Sequence, residues 1–330
     1  MSTTERDPDE VTCAPGPVDG VEVLGPRDVP LGGPRAMTVR RTLPSRARSL
    51  IGAWCFVDHY GPDPVAGPGG TGGMSVAPHP HTGLQTVSWL FTGEIEHRDS
   101  AGHHAFVRPG EVNLMTAGRG ISHSEVSTAA TEVLHGAQLW VALPEGARHG
   151  DPGFTHHAPD AVHREGLEAR VFLGSLLGVT SPVSTATPLL GAELLLEPGA
   201  RVELETDPSF EHGVLVDTGR LAVGGHDAEA HDLVYVPPGD ARLVLVAGAE
   251  PVRLLLLGGP PFGEAIVMWW NFVGRTHEEV VAFREEWQGQ VHGGADGATY
   301  VDGRFGVPVG DELPPIPAPA MPQVRLRERR

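Results

Sequence analysis

The chain is poor in cysteine, poor in basic residues and without long apolar runs. Each shortage removes a class of function. Its 330 residues include two cysteines, Cys13 and Cys55. Cys13 sits in a polar, proline-rich stretch and Cys55 in the apolar run Ala53-Trp54-Cys55-Phe56-Val57. One disulfide is arithmetically possible, but no disulfide framework is visible, so two free thiols are the expectation. Lysine and arginine number 24 against 42 acidic residues, a formal charge of −18 with histidine neutral. A field of that sign disfavours phosphate backbones and anionic membranes. No direct nucleic-acid or membrane partner is predicted, while a protein partner stays open. No run of about 18 apolar residues offers a membrane span. The N-terminal sequence MSTTERDPDE is acidic and lacks the apolar stretch of a signal peptide. The expectation is a cytoplasmic protein, and a monomer.

What is abundant is glycine (44), proline (31) and hydrophobic residues (40 %). The chain turns often and still has enough apolar material for real cores. At roughly 100–200 residues per domain the length predicts two domains or one large one. Residues 1–35 read as an N-terminal arm. From 36 to 145, short β-prone segments alternate with turns: Thr86-Val87-Ser88-Trp89-Leu90-Phe91 before Thr92-Gly93, Ala105-Phe106-Val107 before Pro109-Gly110, then 112–115 and 139–143. That grammar predicts an all-β antiparallel sandwich or barrel. Residues 146–166 are polar and histidine-rich and read as a linker. Residues 167–300 form a second unit and 301–330 a tail. Thr276 with Glu279 makes a capping box, and Val280, Phe283 and Trp287 follow at helical spacing, so a helix is predicted near 276–290.

The second unit repeats the grammar of the first. Val214-Leu215-Val216-Asp217-Thr218-Gly219 matches the segment ending at Gly93, an offset of 126. Val234-Tyr235-Val236-Pro237-Pro238-Gly239 matches the segment ending at Gly110, an offset of 129. Two matches at nearly one offset point to an internal duplication.

Two pairs of potential ligands carry the chemistry: His79-Pro80-His81 and His123-Ser124-Glu125. Residues i and i+2 of a strand share a face. If the two segments are extended neighbours, three imidazoles and one carboxylate converge, a ligand set for a divalent first-row transition metal. Shifted by the two offsets, these positions fall on Glu205, Asp207, Val252 and Leu254. The second copy thus loses the ligand set, and one metal site is predicted, in the first unit. His59, His97 and His135 are candidates for orienting a ligand imidazole. Trp89, Met115 and Gln138 either line the cavity or belong to the core. The adjacent pairs His103-His104 and His156-His157, and the pair Glu94 and Glu96, read as surface groups.

The first pair resembles the first cupin motif: Gly73, five residues, then His79-Pro80-His81. The glutamate usual four residues after the second histidine is replaced by Gln85, and Glu125 makes up the count. That departure resembles the pirin branch of the cupins. The stretches His79-Pro80-His81-Thr82-Gly83, Phe91-Thr92-Gly93-Glu94-Ile95-Glu96-His97-Arg98-Asp99-Ser100 and Pro109-Gly110-Glu111 carry the resemblance. So do Met115-Thr116-Ala117-Gly118-Arg119-Gly120-Ile121-Ser122-His123-Ser124-Glu125, Gln138-Leu139-Trp140-Val141 and Phe210-Glu211-His212-Gly213. The resemblance runs from about residue 30 to 290. It implies an all-β bicupin of two antiparallel β-barrel domains with a C-terminal helix. It implies one mononuclear iron, Fe(II) or Fe(III), on His79, His81, His123 and Glu125, with other divalent transition metals as substitutes. It further implies quercetin 2,3-dioxygenase-type ring opening of a flavonol-like compound by O2, with Glu125 as the candidate catalytic base. The family equally implies an alternative, an iron- or redox-dependent regulatory protein that binds a metabolic enzyme or transcription factor.

Overall fold

Frequent turns cut the chain into short strands. The computed structural model describes residues 20–31, 37–66, 72–292, 299–300 and 303–330 and arranges the strands as two pairs of antiparallel sheets. Cys13 lies outside the described residues; Cys55 is buried and free.

In the N-terminal half a seven-stranded sheet runs, edge to edge, Gly153–His157, Val112–Thr116, Leu84–Thr92, Val133–Ala142, Trp54–Pro64, Met37–Leu43 and Arg27–Leu31. Its companion has four strands, Ser75–His81, Ile121–Ser127, Ile95–Asp99 and His104–Val107. The C-terminal half repeats this order strand for strand. Its large sheet runs Glu22–Leu24, Leu233–Val236, Glu211–Thr218, Val252–Gly259, Leu190–Leu196, Leu167–Leu173 and Val162–Arg164. Its small sheet runs Arg201–Glu205, Arg242–Ala247, Leu221–Val223 and His226–Ala228. The expected all-β bicupin is present, each half as a two-sheet unit whose ladders do not join into a closed barrel.

The segments expected as arm and linker are partly strand. Glu22–Leu24 comes from the arm yet completes the large sheet of the C-terminal half, pairing with Leu233–Val236. Gly153–His157, from the linker, completes that of the N-terminal half. Both are edge strands with polar, exposed positions, so their composition resembles that of loops.

The two large sheets pack face to face. Val57, Val87, Trp89 and Leu139 from one meet Phe172, Leu215, Leu255 and Leu257 from the other. Trp89 stacks on Phe172 with ring centroids 4.6 Å apart, so it belongs to this seam and not to the metal cavity. Trp54 Nε1 donates across the seam to the Gly258 carbonyl at 3.1 Å. With both faces of the sheet covered, Leu84–Leu90 is buried without alternation. Burying each such large apolar side chain contributes about 1.5–3 kcal/mol.

The helix spans His277–Gln290, with Thr276 Oγ1 accepting from Glu279 N. The Glu279 carboxylate reaches back to Arg275 N rather than to Thr276, and also receives Arg148. Val280, Phe283 and Trp287 are buried, against Val267, Phe272 and Phe305. The residues just before the helix touch the N-terminal half: Phe272 bridges Thr82, and Val273 packs with Leu84 and Trp140. The tail continues over the same half, where Ile316 N donates to the Pro78 carbonyl. That contact covers an edge strand kept open by Pro78 and Pro80, which cannot donate.

The second offset does not join equivalent positions. Pro109-Gly110 precedes the strand Val112–Thr116, whereas Pro238-Gly239 follows its counterpart Leu233–Val236, so different turns were equated. Val252 and Leu254 lie on the counterpart of Val133–Ala142. The counterpart of Ile121–Ser127 is Arg242–Ala247, whose buried positions are Leu243, Leu245 and Ala247.

Candidate metal centre

The strands Ser75–His81 and Ile121–Ser127 are antiparallel neighbours with His123 opposite His79 and Ile121 opposite His81. The register shifts between His123 and Glu125, which stands opposite Val76. His79, His81 and His123 therefore face one space, with Glu125 on the side of His123 and His97. The rings of His79, His81 and His123 have centroids 4.3–5.0 Å apart. All three side chains are 0 % exposed and Glu125 is 1 % exposed.

Hydrogen bonds decide which ring nitrogen is bare. A carbonyl can only accept, so the nitrogen facing it carries the proton. His79 Nδ1–H donates to Ala77 O at 3.0 Å, and His81 Nδ1–H to Asn271 O at 3.1 Å. His123 Nδ1 lies 3.3 Å from His97 Nδ1. The Nε2 atoms of all three, and Glu125 Oε2, are buried and have no hydrogen-bond partner. Four orphaned donors of this kind fit a first-row transition metal. One ligand nitrogen from each of the three imidazoles lies within 4.8 Å of the others. Glu125 groups in the same way with His123 and His97. Burial lowers the His79 conjugate acid to about 3 and those of His81 and His123 well below their ordinary value, so the imidazoles stay neutral and able to ligate.

The surroundings are half apolar and half polar. Phe56, Leu84, Met115, Ile121 and Trp140 form one wall, with Trp140 edge-on to His81 at 5.1 Å. Ser88 Oγ donates to Gln138 Oε1 at 2.8 Å and lies 3.4 Å from Glu125 Oε1. Gln138 Nε2, Tyr60 Oη and Trp140 Nε1 are buried donors without a partner. Burial, with the charges of Glu125 and Asp58, raises Tyr60 well above 10, so its hydroxyl stays protonated. Gln85, at the cupin glutamate position, donates to Thr116 Oγ1 at 2.9 Å instead.

Of the three candidates for orienting a ligand, only His97 reaches the site, with Nδ1 3.3 Å from His123 Nδ1. His59 and His135 belong to a second cluster in the seam between the halves. There His59 Nε2 and His135 Nε2 both donate to Asp217 Oδ1, at 2.7 and 2.6 Å, and Arg253 Nη1 approaches Oδ2 at 3.4 Å. Arg40 Nε donates to His59 Nδ1 at 3.4 Å, which fixes the proton on Nε2. His59, His135 and Asp217 also lie close enough together to hold a metal, but the Nε2 proton of His59 is bound to the carboxylate and Arg253 approaches its other oxygen. Sequence reading missed this cluster because Asp217 is 158 residues from His59.

Among the surface candidates, His103 instead reaches the buried Asp99, with Nδ1 3.0 Å from Oδ2. Glu94 and Glu96 pair with Arg108 and Arg98, and His104 with Glu96. Gly118 (φ 52°) serves a turn in which a Cβ would meet Gly150 O at 2.2 Å. Two surface clefts lie elsewhere: about 530 Å³ between the start of the helix and residues 324–328, and about 720 Å³ beside Arg164 and Arg201. Among the described residues no helix is long and apolar enough to cross a membrane.

The comparisons agree with this frame. The family model Pirin matches residues 36–141, and Pirin C-terminal cupin domain matches 191–293. A Pseudomonas aeruginosa protein named "Putative quercetin 2,3-dioxygenase" is 44 % identical over 90 % of this chain and 89 % of its own. A "Pirin-like protein" of Caulobacter vibrioides is 37 % identical over 76 % of this chain and 88 % of its own. The crystal structure of quercetin 2,3-dioxygenase from Acinetobacter baumannii superposes with a TM-score of 0.84 at 37 % identity, covering 94 % of this chain and 98 % of that one.

Proposed function

This chain belongs to the pirin family, and we propose that it is an iron-dependent ring-opening dioxygenase of the quercetin 2,3-dioxygenase type. The observation that carries the reading is the set of four buried, unpaired ligand atoms: Nε2 of His79, His81 and His123, and Glu125 Oε2. It is supported by a relative and a structural neighbour that bear the quercetin dioxygenase name.

The four residues would hold one iron. When bound, iron supplies Lewis-acid and one-electron redox chemistry to an oxygen-bearing substrate. The chain's own residues do the rest. The imidazoles are held neutral and with their protons turned away. Glu125 is the group able to take the 3-hydroxyl proton of a flavonol: with Oε2 toward the metal, Oε1, 3.4 Å from Ser88 Oγ, is the oxygen left to accept it. Tyr60 Oη, Gln138 Nε2 and Trp140 Nε1 offer donors to substrate oxygens, and the Phe56–Trp140 stack, 4.1 Å between centroids, offers an apolar wall.

A second reading is favoured by one observation. The ligand set is 0–1 % exposed and neither surface cleft reaches it. A metal so enclosed suits a sensor whose iron state controls a protein interaction. The experiment is anaerobic Fe(II) reconstitution, addition of quercetin and O2, and detection of carbon monoxide. Quercetin loss with carbon monoxide release is the expected result. Iron-loaded protein that releases none overturns the enzyme reading in favour of the regulatory one.

A further inference from the structure

His123 differs from the other two candidate ligands in what it meets. The Nδ1 of His79 and of His81 faces a carbonyl, which can only accept. The Nδ1 of His123 faces a second imidazole, His97, whose nitrogen can donate or accept. The tautomer of His123 is therefore decided one residue further out. His97 Nε2 lies 3.4 Å from Asp99 Oδ2. Asp99 is 0 % exposed and accepts from Ala101 N and His103 N through Oδ1, at 2.9 and 3.0 Å. His103 Nδ1 stands 3.0 Å from Oδ2. Burial alone would raise Asp99, but hydrogen bonds from His97 and His103 outweigh it and hold the carboxyl below its ordinary value.

We propose that Asp99 and His97 are positioning residues which set the tautomer of His123, and through it the readiness of the site to take metal. An ionised Asp99 only accepts, so His97 carries its proton on Nε2. His97 Nδ1 is then an acceptor, His123 carries its proton on Nδ1, and His123 Nε2 is left bare toward the metal donors. The ring of Phe154, 4.9 Å from His97, limits how His97 can turn.

The relay predicts its own reversal by a change of one atom. In Asp99→Asn, the carbonyl oxygen keeps the two backbone N–H donors of Ala101 and His103. The amide NH2 then faces His97 Nε2 and donates to it. His97 is protonated on Nδ1, donates to His123 Nδ1, and His123 holds its proton on Nε2, the nitrogen the metal needs. The same change in a catalytic triad fixes a wrong histidine tautomer.

The inference rests on the metal-site reading, so one arm of its test contains no metal. In ¹⁵N-labelled metal-free protein, imidazole nitrogen shifts report the tautomer. His123 should be protonated on Nδ1 in the wild type and on Nε2 in Asp99→Asn. In the second arm, Fe(II) affinity measured against a competing chelator should fall by about 10–100-fold in Asp99→Asn. Adding His97→Leu to Asp99→Asn removes the group through which position 99 acts, so the double variant should bind Fe(II) no more weakly than His97→Leu alone. If Asp99→Asn does not fold, His97→Gln and His97→Leu ask the same question. The glutamine keeps an acceptor and the affinity, and the leucine loses about 10–100-fold. Wild-type His123 protonated on Nε2, unchanged Fe(II) affinity in Asp99→Asn, an effect of Asp99→Asn that persists in the His97→Leu background, or equal affinity of His97→Gln and His97→Leu overturns the relay. A folded wild type that shows the predicted tautomer and binds no Fe(II) overturns the metal reading instead.

Discussion

The two halves of the molecule share a strand order and differ in what fills them. On the small sheet of the N-terminal half, Ser75–His81 and Ile121–Ser127 turn His79, His81, His123 and Glu125 inward. The matching pair in the C-terminal half, Arg201–Glu205 and Arg242–Ala247, turns Val202, Leu204, Leu243 and Leu245 inward. One frame holds a polar cluster, the proposed ligand set, and the other a hydrocarbon core, so the fold does not select the chemistry; the side chains on two strands do. The exchange has a cost. Each buried polar atom without a partner destabilises by about 1–3 kcal/mol, which a bound metal would offset.

Acid should expose that difference most strongly. His79 is lowered to about 3, and His81 and His123 well below their ordinary value, in each case by burial. Their unfolded values lie near 6.5, so below that pH the unfolded chain binds more protons than the folded one. The stability of metal-free protein should fall as pH drops from about 6.5 toward 3, by up to about 1.4 kcal/mol per pH unit for each imidazole. Urea midpoints at pH 7 and pH 5 measure it. A metal-free triple variant with leucine at positions 79, 81 and 123 should lose most of this slope and bind no iron. An unchanged slope in that variant would show that the three imidazoles are not its source.

The second break is chemical. Glu125→Gln keeps the shape and loses the charge. Turnover per bound iron should fall by about 10²–10⁴-fold, the usual range for loss of a general base. Equal turnover per iron would remove Glu125 from that role. The third lies in the other half. Leu204→Ala or Leu245→Ala should cost about 2–5 kcal/mol in stability, through the cavity left behind, with iron content unchanged. Loss of iron in the folded variant would show that the halves are not separable in this way. The smallest effect concerns the element that crosses between them. Thr276→Ala removes the helix cap and should cost about 1 kcal/mol by thermal melting.

Much of this contrast was legible in the sequence, because it depends on local spacing. Pairs at i and i+2 stay on one face of any strand, so His79 with His81 and His123 with Glu125 needed only neighbouring strands to converge. The helix was legible for the same reason, from Thr276, Glu279 and a stripe at spacings of three and four. What escaped depends on partners far along the chain. Glu22–Leu24 becomes a strand only because Leu233–Val236 offers it an edge. His59 and His135 face Asp217 of the other half, not the ligand set. The equation of Pro109-Gly110 with Pro238-Gly239 failed because Pro-Gly marks a turn without saying which turn. The role of His97 was half legible: its type was right, but Asp99, which fixes its proton, is one carboxylate among 42 acidic residues until distances are known.

The proposed site holds one iron, in the N-terminal half, on the three imidazoles and Glu125. Elemental analysis of anaerobically reconstituted protein, beside folded His79→Ala and His123→Ala, tests it most directly. Close to one iron per wild-type chain and almost none in either variant is the predicted result. Full iron in both variants, or two irons per chain that survive gentle chelation, would contradict it.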